Sequence, residues 1–337
     1  MPETVIDPVT LFQIPPSWIE LCPDPQALQK IRSGRWVLLS NGVLLRRGLT
    51  TGTTAAAACK GAILSLLRPT DEVKITTPAK VEVSLSVVAR NGFCVAVKDG
   101  GDHQFDVTRG LEMMARAFPA ERTDLALGKG VGRITATGLC DEAGRPAISP
   151  SARRQIMLAI KEGLQETGLA AARVELCIPR GEALAEKTLN PRLGIVGGIS
   201  ILGSTGFVEP WNDHLIEDRA GELRGPGKVV VTTGRVGLKF SRVLFPDHKA
   251  VLMGSQLDRL AFEEDQESIL CGLPALILKW AWPEVLDETG YGTVADLVEK
   301  EPEHENIAQA LEKAKRRLPN TRIVLLRKDG SILRDVP

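Results

Sequence analysis

Hydrophobic spacing divides the chain into two stretches of different style. "KVEVSLSVVAR" alternates strictly, with Val81, Val83, Leu85 and Val87 on one face, and "GFCVAVKD" repeats the alternation with Phe93, Val95 and Val97. Asn91-Gly92 between them suits a two-residue hairpin turn, so a pair of strands is expected. Asn41-Gly42 inside "WVLLSNGVLL" predicts another hairpin. The period changes in "DVTRGLEMMARAF", where Leu111, Met114, Ala115 and Phe118 recur at helical spacing and predict a helix. "GRITAT" and "RVELCIP" read as strands, and between them Ser149-Pro150 opens a helix with Ile156, Ile160 and Leu164 on one stripe, ending near Gly168. This mixture predicts an α+β domain with a mixed or antiparallel sheet over residues 36–225. After the polar linker "RAGELRGPGK" come the short apolar runs "KVVVTT", "KAVLM", "SILCG" and "RIVLLR". Helical segments such as "RVGLKFSRVLF" and "HENIAQALEKAKRR" separate several of them, which predicts a Rossmann-like open parallel α/β domain over 226–337. Residues 1–35, with prolines at 2, 8, 15, 16, 23 and 25, read as an irregular N-terminal arm.

Composition narrows the function classes. The 337 residues carry 42 Lys plus Arg against 42 Asp plus Glu, so bulk charge draws the chain to neither nucleic acid nor an acidic membrane. A single Tyr among few aromatics argues against a base-stacking platform. The six cysteines form no C-x-x-C pair and the four histidines are scattered, so no protein metal site is expected. Cys94 and Cys177, inside strand-like runs, read as buried free thiols. The N-terminus has neither the cationic start nor the apolar core of a signal peptide, and "LGIVGGISIL" is too short to span a bilayer. A reduced, cytoplasmic protein is expected.

Several glycine-bearing segments compete as the site. In "RRGLTTGTTAAAACKGAI" a helix of about 53–67 begins behind Thr50, Thr51, Gly52 and Thr53. Such a start offers N–H groups and hydroxyls to a polar ligand, while the alanines let something lie close against the helix. A well-capped core helix would look the same. In "VKDGGDHQFDVT", Asp99, Asp102 and Asp106 suit a cation or a base, although Asp106 also reads as the cap of the helix predicted after it. Gly128, Gly130 and Gly132 imitate a nucleotide loop, but a strand follows them, so close backbone approach is the alternative. "RLGIVGGISILGSTGFVEPW" packs Gly194, Gly197, Gly198, Gly203 and Gly206 among Ser200, Ser204 and Thr205, up to Glu209-Pro210. It reads as a wall around a flat or bulky ligand, or as tight turns between buried strands. Thr232, Thr233, Gly234 and Arg235 stand where a strand of the C-terminal sheet ends, the usual ligand side of such sheets.

The same segments, with "GKGVGRITATGL", "GRPAISPSARRQI", "IPRGEALAEKTLNPRLGIVGGISILGSTGFVEPW" and "VVVTTGR", resemble the CbiD family, the cobalt-precorrin-5B C(1)-methyltransferases of anaerobic cobalamin (vitamin B12) biosynthesis. The resemblance implies transfer of a methyl group from S-adenosyl-L-methionine to a ring carbon, C-1, of a cobalt-containing tetrapyrrole. Cobalt then arrives only as part of the substrate. Under this resemblance Arg47, Arg133, Arg180, Arg192 and Arg235 would pair with macrocycle carboxylates. Asp102 or Glu209 would take a proton or steady developing charge. The cleft would be lined by Thr50, Thr51, Gly52 and Thr53, so Gly52→Val is expected to abolish binding while sparing the thermal midpoint. Thr54 stands where many members carry Cys, which excludes a catalytic thiol there. Beyond His248 the chain has only His304, where many members carry a histidine motif. That departure motivates an alternative, a tetrapyrrole carrier or scaffold that has lost catalysis. A small-molecule kinase, motivated by the Gly/Thr turns, is a third reading. A homo-oligomer is compatible with all three.

Overall fold

The computed structural model describes residues 4–103, 106–135, 144–188, 190–210, 227–254, 256–263 and 265–337. It is a mixed α/β structure with two compact units. One comprises Gln29–Val37 and Leu45–Asn212, the other Met1–Leu28, Leu38–Leu44 and Asp213–Pro337.

The first unit is built on helix α1 (Thr51–Leu64). All its residues are buried, and its alanines, Ala55 to Ala58, have no exposed surface. Beside it lie helix α2 (Pro150–Thr167) and a six-stranded sheet. The strands are β1 (Thr70–Thr76), β2 (Glu82–Arg90), β3 (Phe93–Val97), β4 (Glu112–Pro119), β5 (Asp124–Leu127) and β6 (Ala172–Cys177). Their order is β5-β6-β4-β3-β2-β1, and only the β5–β6 pair is parallel. The expected hairpin joins β2 to β3 through Asn91 and Gly92, both at positive φ (50° and 77°). α2 begins at Ser149, whose side chain accepts from Ala152 N, and ends on Gly168 in the left-handed region.

One expectation fails in this sheet. "LEMMARAF" is strand β4, paired on both sides, and not a helix. Its apolar residues satisfy both periods, and pairing with β3 and β6 selects the period of two, with Met113, Ala115 and Ala117 inward. In β3 the inward residues are Cys94 and Ala96, while Phe93 and Val97 are exposed and Val95 is half-buried. The reason is the closeness of α1: a Cβ on Gly61 would lie 2.6 Å from Cys94 Sγ. On β3 only small side chains fit beneath the helix, so its larger ones occupy the opposite face. Cys94 is buried as expected; Cys177 is only half-buried.

In the second unit β7 (Lys228–Thr232), β8 (Lys249–Leu252), β9 (Glu267–Gly272), β10 (Thr321–Leu326) and β11 (Ile332–Val336) form a sheet of order β8-β7-β9-β10-β11. The first four are parallel and β11 is antiparallel to β10. Helices α3 (Arg235–Leu244), α4 (Pro274–Ala281), α5 (Val294–Lys300) and α6 (Glu305–Arg317) accompany it. The near-continuous burial of Val229–Thr232 and Ile323–Leu326 is that of strands covered on both faces. The proline-bearing start is partly regular, with short helices at Pro16–Leu21 and Ala27–Arg32. Trp36–Leu38 pairs with Leu44–Arg46 around Gly42, as the Asn-Gly signal predicts. No helix among the described residues is long and apolar enough to cross a membrane.

Candidate functional site

The N-terminus of α1 gathers most of the expected glycine and hydroxyl residues. Thr50 caps the helix, its side chain accepting from Thr53 N at 3.2 Å. The Thr51 hydroxyl donates to Ser200 O at 3.1 Å and accepts from Leu202 N at 2.8 Å. Gly52 N donates to Leu202 O at 2.9 Å, while Thr50 N and the Thr53 hydroxyl both donate to Gly206 O, at 3.1 and 2.9 Å. Carbonyls of the 200–206 loop thus occupy the positive end of the helix, where an anion would otherwise bind. Gln155 donates to Thr53 Oγ1, and the Ser200 hydroxyl donates to Asn190, which in turn donates to Gly198 O. Gly203 lies against Thr50, with an added Cβ 2.5 Å from Oγ1. The Thr205 hydroxyl stays within the loop, accepting from Phe207 N.

This geometry corrects two expectations. The alanines face α2 and the sheet, so they make room for protein and not for a flat ligand. A Cβ at Gly52 would lie 2.9 Å from both Ala152 Cβ and Leu202 O, so Gly52→Val disrupts packing and cannot spare the thermal midpoint. What the glycine segment turns outward is Gly197, with nothing within 4 Å of an added Cβ, and exposed Val196, Leu202 and Ser204. Gly130 and Gly198 serve close backbone crossing. The strands Gly130–Val131 and Gly198–Ile199 pair in parallel, and a Cβ on Gly130 would lie 1.9 Å from Ile178 O.

The acidic loop packs along the strand that leads into α1. Asp99 accepts from Arg46 at 2.6 and 3.0 Å and pairs with Arg35. Burial pushes its carboxyl up, but the Gly101 N–H and the two guanidinium groups outweigh this and hold it below the usual range. Asp106 likewise stays low: burial opposes, while Lys98 at 2.5 Å and bonds from Thr108 prevail. No helix follows Asp106, so its predicted capping role is replaced by this ion pair with buried Lys98. Asp102 is exposed, with one carboxylate oxygen accepting from Arg46 N at 2.6 Å.

Glu209 has a different partner. Arg47 is completely buried, and its Nε donates to Glu209 Oε2 at 3.0 Å while Nη1 donates to Gly34 O and Trp36 O. Arg47 is therefore not a surface cation awaiting a substrate carboxylate. Between these residues, Gly48–Leu49 pairs antiparallel with Phe207–Val208, and Leu49 N donates to Asp99 O. One short segment, Arg46 to Thr53, so carries the acidic loop and the glycine loop together. Sequence reading missed Arg35, Lys98, Gln155 and Asn190: Lys98 was passed over for the carboxylates beside it in its glycine-bearing segment, and the others meet their partners only through the fold.

The remaining expected residues belong to other elements. Arg133 is exposed and donates to Gly144 O; Arg180 is exposed and donates to Gly110 O. Arg192 falls in the 3-10 turn Pro191–Leu193, and its side chain lies outside the described residues. Thr232 and Thr233 are buried at the end of β7, and Gly234 and exposed Arg235 open α3, all in the other unit.

The profile of the CbiD family matches residues 39–210, half of the chain and the whole glycine-loop region. The chain belongs to the CbiD family. Relatives in this family match nearly end to end. The cobalt-precorrin-5B C(1)-methyltransferase of Methanococcoides burtonii is 44% identical, and that of Methanosarcina acetivorans 46%, each over 98% of both chains. The crystal structure of the cobalamin biosynthesis protein (CbiD) from Archaeoglobus fulgidus is 35% identical, with a TM-score of 0.58 over 96% of this chain and 100% of that one.

Proposed function

We propose that this chain is a cobalt-precorrin-5B C(1)-methyltransferase, carrying a methyl group from S-adenosyl-L-methionine to C-1 of the cobalt-bound macrocycle. The observation that carries this reading is the end-to-end similarity to relatives bearing that name. The ring carbon attacks the methyl carbon, the C–S bond breaks, and S-adenosylhomocysteine leaves. The sulfonium is already activated, so the protein mainly aligns the reactants and keeps water away. The outward surface of the glycine loop, at Gly197 and Leu202, is our candidate wall for the macrocycle. Asp102, with one carboxylate oxygen on a backbone N–H, is our candidate proton acceptor. Glu209 is assigned to holding Arg47.

We further take residues 226–337 as a Rossmann-like domain following an α+β domain. The support is the order β8-β7-β9-β10, in which ligands bind beyond the strand ends, here at Thr232 to Arg235. Cobalt would enter with the substrate, and the reaction would run in the cytoplasm. Titration calorimetry tests the donor half of the reading. S-adenosylhomocysteine is expected to bind one per chain. Failure to bind, with the tetrapyrrole still bound, would leave a carrier.

A further inference from the structure

The face of the six-stranded sheet that points away from α1 is apolar at its centre. α1 packs on the inner face, so Val88, Val95, Met114 and Cys177 point outward. The strand registers place these four side by side, Val88 opposite Val95, Val95 opposite Met114 and Met114 opposite Cys177. One row thus crosses strands β2, β3, β4 and β6. Val88 is 63% exposed, and Phe93 and Val97, two residues either side of Val95, are 41% and 51% exposed. A side chain of this kind on an isolated surface is ordinary; a continuous apolar row flanked by further apolar residues marks an interface.

The charges flanking the row are arranged for a particular partner. On β4, Arg116 and Glu112 stand two residues either side of Met114, and both are exposed. Neither has an ion-pair partner among the described residues; Arg116 only lies over the Phe118 ring at 5.5 Å. A two-fold axis running along the Val88–Cys177 row, between two copies of this sheet, reverses the strand direction of one copy relative to the other. It therefore sets Arg116 against Glu112 of the second copy, and Glu112 against its Arg116. Phe93 meets Val97 in the same way, apolar on apolar. Each residue of the row meets its own counterpart.

We propose that this sheet face is the interface of a homodimer, formed by two copies packed sheet on sheet about an axis along that row. Isologous contacts of this kind are the commonest route to closed oligomers, and faced sheets sit roughly 10 Å apart.

The test uses the full chain in sedimentation velocity over a concentration series. Wild type is expected to sediment as a dimer. Val95→Arg, on the axis, should give a monomer. Glu112→Arg and Arg116→Glu, each of which sets like charges together twice by symmetry, should weaken the dimer by about tenfold or more. The double variant Glu112→Arg/Arg116→Glu should recover wild-type association. Far-UV circular dichroism should be unchanged in all four, since none of these side chains lies on the face of the sheet that packs against α1. A short bis-maleimide should link two copies through Cys177, and Cys177→Ala should abolish the link. A wild type that is monomeric throughout overturns the proposal. So does a dimer indifferent to Val95→Arg, or one weakened by both reversals without recovery in the double variant.

Discussion

Glu209 offers the sharpest separation between holding the fold and performing the chemistry. Its carboxylate meets Arg47, which has no exposed surface, at 3.0 Å, while the Glu209 side chain itself is 15% exposed. Removing one partner of a buried pair costs about 3–5 kcal/mol, because the other charge stays buried. Arg47 keeps its bonds to Gly34 O and Trp36 O, so Glu209→Ala should fall near the lower end, about 3 kcal/mol. Glu209→Gln keeps shape and acceptor and loses the charge, a cost of about 1–1.5 kcal/mol. With a urea dependence of about 2 kcal/mol per molar, the midpoint should fall by about 1.5 M for Ala and about 0.6 M for Gln. The assay is urea unfolding of each variant, followed by far-UV dichroism, beside methyl transfer measured well below the transition. A wild-type midpoint in Glu209→Ala, together with lost transfer, would refute the anchoring role and return Glu209 to catalysis.

Three other outcomes follow from the same geometry. Gly52→Ala should lower the thermal midpoint measurably by calorimetry, because its methyl meets both Ala152 and Leu202 O at 2.9 Å. Asp106 is held below its unfolded value of about 3.9, so its contribution is present above that pH and is lost as the pH falls through and below it. Thermal midpoints should therefore drop between about pH 5 and pH 2, and less steeply in Asp106→Asn, with Asp99, Asp329 and Asp335 among the carboxylates supplying the slope that remains. Gly130→Ala should fail to fold or unfold far below wild type, since its Cβ would lie 1.9 Å from a carbonyl oxygen, whereas Gly197→Ala, with open space around it, should cost only about 1 kcal/mol for its positive φ in urea titration.

Much of the architecture was legible where a local signal decided it. Asn91-Gly92 specified its hairpin, and Ser149-Pro150 with Gly168 bounded α2. The parallel strands of the second unit announced themselves as short apolar runs. β4 was misread because Leu111, Met113, Met114, Ala115, Ala117 and Phe118 fit both a strand and a helix, and only neighbouring strands choose between them. The alternation in β3 placed Phe93, Val95 and Val97 on one face without telling which face is inner; the nearness of an alanine helix reserves the inner one for Cys94 and Ala96. Those alanines also show how far the site could be read. The Thr-Gly turn was recognisable as a helix start, yet its partners lie about 150 residues away in the 200–206 loop. No local pattern reveals such a pairing. Arg47 and Glu209, separated by 162 positions, illustrate the same point.

The central claim is methyl transfer to the macrocycle, and one measurement addresses it directly. The purified protein is incubated anaerobically with cobalt-precorrin-5B and methyl-labelled S-adenosyl-L-methionine, and the tetrapyrrole is followed by mass spectrometry. Gain of one labelled methyl group per macrocycle, with formation of S-adenosylhomocysteine, is the expected result. An unlabelled tetrapyrrole recovered intact from a folded protein that binds it would contradict the enzymatic reading.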